Sequence, residues 1–212
     1  MKEISPIRTG LRQGAARFAL DRSGLAAVEF AFIVPLMLVM LFGIVEFSSA
    51  VAASRKVTLM ARTLSDLTSR APQRSDQQTV ADADLANFVN AGIGIMTPFT
   101  TAQLKSTITE LWIDPNSLAA RVQWSKGDAP RATSTTVQVP SALQIAGTYL
   151  IFSEVSYNYI PSVGAINIPT IGPVMPTGIA LRDVAYTRPR YSLCVIYPTP
   201  APNVAMPNCP KL

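Results

Sequence analysis

Residues 24–47 read GLAAVEFAFIVPLMLVMLFGIVEF, and the reading of this stretch decides the fold. From 25 to 45 the only charged residue is Glu29. A helix over these positions, at ~1.5 Å per residue, is ~31 Å long and matches the hydrocarbon core of a bilayer. The segment is therefore expected to cross a membrane. Pro35 lies within it and removes one backbone donor, which membrane helices tolerate because neighbouring groups satisfy the freed carbonyl. Glu29 needs a separate explanation.

On the N-terminal side, Lys2, Arg8, Arg12, Arg17 and Arg22 stand against Glu3 and Asp21, so +3 of the formal +5 charge precedes Leu25. The flanking cations favour a cytoplasmic N-terminus, with the bulk of the chain on the other side. The later basic residues are scattered among acidic ones, with no basic helix and no basic patch interleaved with aromatics. Nucleic acid is not an expected partner. On the C-terminal side, Val57, Met60, Ala61, Leu64 and Leu67 recur at three- and four-residue spacing among Arg55, Lys56, Arg62 and Asp66. The spacing predicts one long helix, apolar all round and then amphipathic, running to about Ser69 and ended by Pro72 and the polar stretch QRSDQQT.

A secretory signal peptide is the competing reading, with Ala50-Val51-Ala52 as an A-x-A cleavage site. The apolar run is far longer than the ~7 to 15 residues such signals use, and Glu46 lies between it and the site.

A carboxylate this deep in a lone membrane helix costs up to roughly 2.5 to 3.5 kcal/mol on insertion scales, and less near the helix end. If Glu29 sits in the headgroup zone, only 30–45 are left for the core, short of the ~20 residues a span needs. If the chain is cut after Gly24, Leu25 gains a positively charged α-amino group about one helical turn from Glu29. The amine of a neighbouring subunit, shifted along a bundle, can serve the same purpose.

A basic leader, Gly24, the small or apolar LAAV, Glu29, the aromatic Phe30 and a long apolar helix together resemble the class III signal of type IV pilins. The wider stretch, with Pro35, the GIVEF of 43–47 and the amphipathic continuation, resembles the TadE-like family, the pseudopilins of tight-adherence (Flp) pilus systems. Phe30 stands where the major tight-adherence pilins carry tyrosine and keeps the ring without the hydroxyl. The resemblance implies that a prepilin peptidase cuts between Gly24 and Leu25 at the cytoplasmic face of the inner membrane. It implies that Glu29 and Phe30 take part in helix packing and charge pairing, and that the partners are other pilins or pseudopilins and the tight-adherence secretion machinery. The alternative is an unprocessed bitopic membrane protein with an extracytoplasmic binding domain.

Beyond the helix, DADLANFVNAG predicts a short helix capped near Asp82. KSTITELWI and LAARVQWS flank the turn residues DPNS, so 105–125 reads as a β-hairpin. Trp112 and Trp124 are expected to pack, across this hairpin. STTVQV, TYLIFSEVSYNYI, RDVAYTR and RYSLCVIY are further strand candidates. Val155, Tyr157 and Tyr159 mark one face of theirs by alternation. Residues 161–176, rich in proline and glycine, read as a long ordered loop. The expected fold is α+β and pilin-like: a long N-terminal helix followed by a small antiparallel sheet. The expected organisation is a leader over 1–24, a transmembrane helix over 25–45, an amphipathic extension over 46–70, and an extracytoplasmic α+β domain over 71–212.

Cys194 and Cys209, the only cysteines, flank the tail VIYPTPAPNVAMPN. On the oxidising side of a membrane they are expected to form a disulfide that closes this loop. The chain has no histidine, which removes Ser-His and Cys-His pairs and the usual mixed His/Cys zinc sites. Gly92 and Gly94 in AGIGIM lack the third glycine and the lysine of a phosphate loop and read as a helix end. Asp82 and Asp84 read as cap and dipole partners rather than an acid–base pair. No enzyme activity, cofactor or metal site is expected.

Overall fold

The computed structural model describes residues 23–161, 167–168, 172–173, 178–201 and 207–210. The chain divides into two units, Met1–Phe47 and Ser48–Leu212. One helix, α1 (Ser23–Ser69), contributes to both. In the first unit its large apolar side chains are exposed on every side, among them Phe30, Phe32, Met37, Val39 and Ile44. Among the described residues α1 is the helix long and apolar enough to cross a membrane. Most of the leader expected over 1–24 lies outside the described residues.

In the second unit α1 becomes a core element. Ala53, Val57, Met60, Ala61 and Leu64 repeat at helical spacing and are all buried. Leu67, expected on this face, is only half-buried; Ser65 and Thr68 are buried instead. Polar contacts to the sheet and within the helix make that placement tolerable. The Ser65 hydroxyl donates to Thr187 Oγ1 at 2.7 Å, and Thr68 bonds back to the Leu64 carbonyl at 2.8 Å.

After α1 come a hairpin of β1 (Gln73–Arg74) and β2 (Gln77–Thr79), then α2 (Asp82–Met96). α2 is capped beside Asp82 as expected, with Ala81 at the N-cap. Asp84 Oδ2 accepts the Ala81 N–H at 2.9 Å, while Asp82 accepts the Tyr197 hydroxyl at 2.7 Å. Gly92 and Gly94 do not end the helix but lie inside it. A Cβ on Gly92 would come within 3.1 Å of the Met60 side chain, so the missing side chain lets α2 close on α1. Lys56 fixes the same pair by donating from Nζ to the carbonyls of Ile95 and Thr97, at 2.7 and 2.8 Å, at the C-terminal end of α2.

The sheet is built from β3 (Leu104–Ile113), β4 (Ala120–Gly127), β5 (Thr136–Val137), β6 (Tyr149–Tyr159) and β9 (Ile179–Thr187). Its order is β5-β4-β3-β6-β9, antiparallel throughout, with the expected hairpin of β3 and β4 at its heart. Alternation sends Ile151, Val155, Tyr157 and Tyr159 toward α1 and places Leu150 and Phe152 in a second cluster with Leu111, Val122 and Val139. The β3–β4 register shifts after Glu110 and leaves Gln123 as an extra residue. This bulge reverses the alternation of β4, so Trp124 and Val122 join different clusters although they are two residues apart.

Three expectations are corrected here. Trp112 and Trp124 do not share a cluster: Trp124 opposes Glu110, while Trp112 opposes Arg121 and packs with Tyr149, Cys194 and Ile196. STTVQV keeps only β5 as strand, because the chain tucks Val139 into the second cluster and turns at Pro140 into the 3-10 turn Ser141–Leu143. RYSLCVIY contributes only β10 (Val195–Ile196), which joins β2 in parallel and not the main sheet. Residues 161–176 lie mostly outside the described residues; within them β7 (Asn167–Ile168) and β8 (Gly172–Pro173) pair antiparallel.

Gly127 closes β4 with φ +136°, and a Cβ there would lie 2.2 Å from the Ser106 carbonyl oxygen and 2.6 Å from Thr107 Cα. Gly127→Ala is expected to cost at least ~2 kcal/mol and lower Tm by roughly 4–8 °C in thermal unfolding followed by circular dichroism.

Candidate functional site

The residues singled out near the N-terminus occupy the N-terminal part of the described α1. Gly24 is exposed, and a Cβ on it would meet no atom within 4 Å. The Gly24–Leu25 peptide bond lies within α1, at the N-terminal edge of the described residues. Glu29 is exposed, and Phe30 is 68% exposed. From Leu25 to Glu29 the helix rises ~6 Å, about one turn, so an amine on Leu25 and the Glu29 carboxylate share one face. Among the described residues no Lys or Arg forms an ion pair with Glu29. The helix thus presents an uncovered glycine, an acid and an aromatic ring within two turns.

The other residues singled out, Cys194 and Cys209, are joined in a disulfide with Cα atoms 5.8 Å apart. Part of the loop that they close, 202–206, lies outside the described residues. Cys194 is fully buried beside Trp112, Tyr149 and Ile196. The end of the chain is tied further by the Tyr149 hydroxyl, which donates to the Pro210 carbonyl at 2.6 Å, and by Arg74, which donates to the carbonyls of Pro200 and Ala201 at 2.5 and 2.9 Å.

Two buried polar side chains that the sequence reading passed over hold this tail to the core. Gln78, inside the stretch read only as a polar helix stop, is fully buried. Its Nε2 donates to the carbonyls of Ser69 and Ala71 at 2.8 and 3.1 Å, and its Oε1 accepts the N–H groups of Tyr191 and Ser192 at 3.0 and 3.2 Å. One amide thereby joins the end of α1 to the root of the tail. Glu110 is also fully buried; its Oε1 accepts the Val195 N–H at 2.5 Å and its Oε2 accepts Trp124 Nε1 at 3.0 Å. Trp124 Nε1 also donates to the Val195 carbonyl at 2.8 Å, so Glu110 and Trp124 grip both polar groups of one residue in β10. Burial pushes the Glu110 carboxyl up to about 8, against the opposing effect of the two N–H donors. The signal was present in KSTITELWI: Glu110 lies two residues from both Ile108 and Trp112, on the inward side of an alternating strand.

Elsewhere an open groove of about 370 Å³ runs beside α2, with an apolar wall of Leu85, Val89 and Ile108 and with Asp82, Lys126 and Asp128 at its edges. These charges are engaged: Lys126 pairs with Asp82 at 3.4 Å, and Asp128 accepts the Ser106 N–H at 2.7 Å.

Residues 24–64 match the family model described as TadE-like protein, the family that the N-terminal residues resemble. No curated protein and no solved structure matches the chain. The matched segment begins at Gly24 and ends at Leu64, the last buried apolar residue of α1.

Replacing Cys194 and Cys209 together by alanine is expected to lower unfolding stability by ~3 kcal/mol in chemical denaturation, the loop-closure value for a loop of this length.

Proposed function

We propose that this chain is a TadE-like minor pilin or pseudopilin, held in the inner membrane by the apolar part of α1 and taking part in assembly of a tight-adherence (Flp) pilus. The observation that carries the reading is the family match over 24–64, which starts at Gly24 and extends through the membrane-length run into the packed half of the helix. In this reading a prepilin peptidase removes 1–24 at the cytoplasmic face. The uncovered Gly24 fits a narrow cleavage site, and the remainder of the chain lies outside the cytoplasm, where the Cys194–Cys209 bond persists.

Cleavage supplies the cation that Glu29 lacks among the described residues. The new α-amino group on Leu25 is a cation at the depth of the carboxylate, in the same chain or in a neighbour shifted along the bundle, and pairing is the usual condition for a charge inside a membrane. The helix face around Phe30 then packs against other pilin helices. The chain itself has a scaffolding role and performs no catalysis; the peptidase supplies the only chemistry.

N-terminal sequencing of the protein from membranes of its native host tests the processing step. The expected first residue is Leu25, whereas a retained leader, or a start at Ala53 after signal-peptidase cleavage, sinks the proposal. Glu29→Gln is expected to leave membrane insertion intact and to reduce pilus assembly about tenfold or more, the factor that corresponds to ~1.4 kcal/mol of lost pairing. Unchanged assembly would favour the unprocessed bitopic anchor.

A further inference from the structure

We infer that Glu110 is a proton-controlled latch on the disulfide-closed tail, keeping β10 and Cys194 docked while its carboxyl is neutral and loosening them when it ionises. The inference stands on the geometry. Glu110 is at zero exposure beneath Val195, and its two oxygens are occupied by N–H donors, one of them the backbone of the residue that follows Cys194. Among the described residues no Lys or Arg forms an ion pair with it. A carboxylate that is buried without a cation is relieved most cheaply by admitting water.

The elements around it offer no other relief. From β4 comes the indole of Trp124; from β6, Ile151 stands directly opposite in register. The α1 face turned to the sheet carries Val57, Met60, Ala61 and Leu64, without a charge. Among the described residues the titratable neighbour is the Tyr149 phenol, which burial and the negative charge of Glu110 push up to about 12, and which is itself committed to Pro210. The cover is the weakest part of the enclosure: β10 has two residues and one neighbouring strand, β2, with Gln78 holding its root. Lifting it exposes Glu110 and Cys194 together, and the disulfide keeps the lifted segment attached.

The sign follows from linkage. Docked, Glu110 titrates at about 8; opened to water it returns to about 4.5. The docked form holds the proton more tightly, so docking is strongest below about 4.5, weakens as pH rises, and loses no more above about 8. The opening equilibrium therefore rises about tenfold per pH unit between these values.

The test uses the full chain in detergent and the rate at which a phosphine reductant cleaves Cys194–Cys209, taken relative to a small exposed peptide disulfide at each pH. Between pH 5 and 8 the relative rate is expected to rise about tenfold per unit and then to level off; in Glu110→Gln it should be flat with pH. A wild-type relative rate independent of pH overturns the proposal, as does an unchanged slope in Glu110→Gln. The wild-type profile decides alone if that variant fails to fold.

Discussion

The burial of one face of α1, Ala53 through Leu64, against the sheet is the contact on which the second unit depends. Apolar side chains of this size each contribute roughly 1.5–3 kcal/mol when removed from water. Val57, Met60, Ala61 and Leu64 form a continuous strip opposite Ile108, Ile151, Val155 and Tyr157. α2 reaches the same strip because Gly92 adds no Cβ, and its end is held by Lys56. Hydroxyls set the register of helix against sheet: Ser153 donates to the Ala61 carbonyl at 2.5 Å, and Thr58 donates to Asp183. The helix that presents apolar side chains on every side before Phe47 presents one apolar face after it, and the family match covers both stretches.

The opposite end of this core is held by polar groups. Gln78 joins the end of α1 to Tyr191 and Ser192, Glu110 and Trp124 grip Val195, and the disulfide brings Cys209 back to Cys194. Gln78, Glu110, Trp124 and Cys194 are buried, and each is hydrogen-bonded or covalently paired, as the low dielectric of an interior demands. A tail whose described residues contain one short strand, β10, is thereby kept on the domain.

The long helix, its end at Ser69, the β3–β4 hairpin and β6 were legible in the sequence because each rests on local periodicity and turn chemistry. The alternation of Val155, Tyr157 and Tyr159 marked a buried face, and the residues are buried. The failures have a common cause in non-local contacts. RYSLCVIY has strand composition, yet Gln78 accepts the N–H groups of Tyr191 and Ser192, and only Val195–Ile196 form a ladder, with β2 rather than with the main sheet. Both tryptophans pack, but not on each other, because their partners come from elsewhere in the chain: Trp112 meets Tyr149, Cys194 and Ile196, while Trp124 opposes Glu110 and joins the core under α1. Glu110 was readable in principle from its inward phase between Ile108 and Trp112. Gln78 was not, since a glutamine in a polar stretch looks the same buried or exposed. At the N-terminus the glycine, the acid and the aromatic ring were legible as a pattern, and the structure adds that they stand uncovered on one helix end.

In the proposed role a single helix is a membrane anchor in its first half and a core element in its second. Spin labels placed one at a time along α1 in lipid vesicles, with the native cysteines kept oxidised, measure this through collision with oxygen and with a water-soluble nickel complex. Labels at Met37 and Val39 should be reached by oxygen and hidden from nickel, a label at Arg62 should be reached by nickel, and one at Ala61 should be hidden from both. Nickel access throughout 30–45, or lipid exposure at Ala61, would contradict the account.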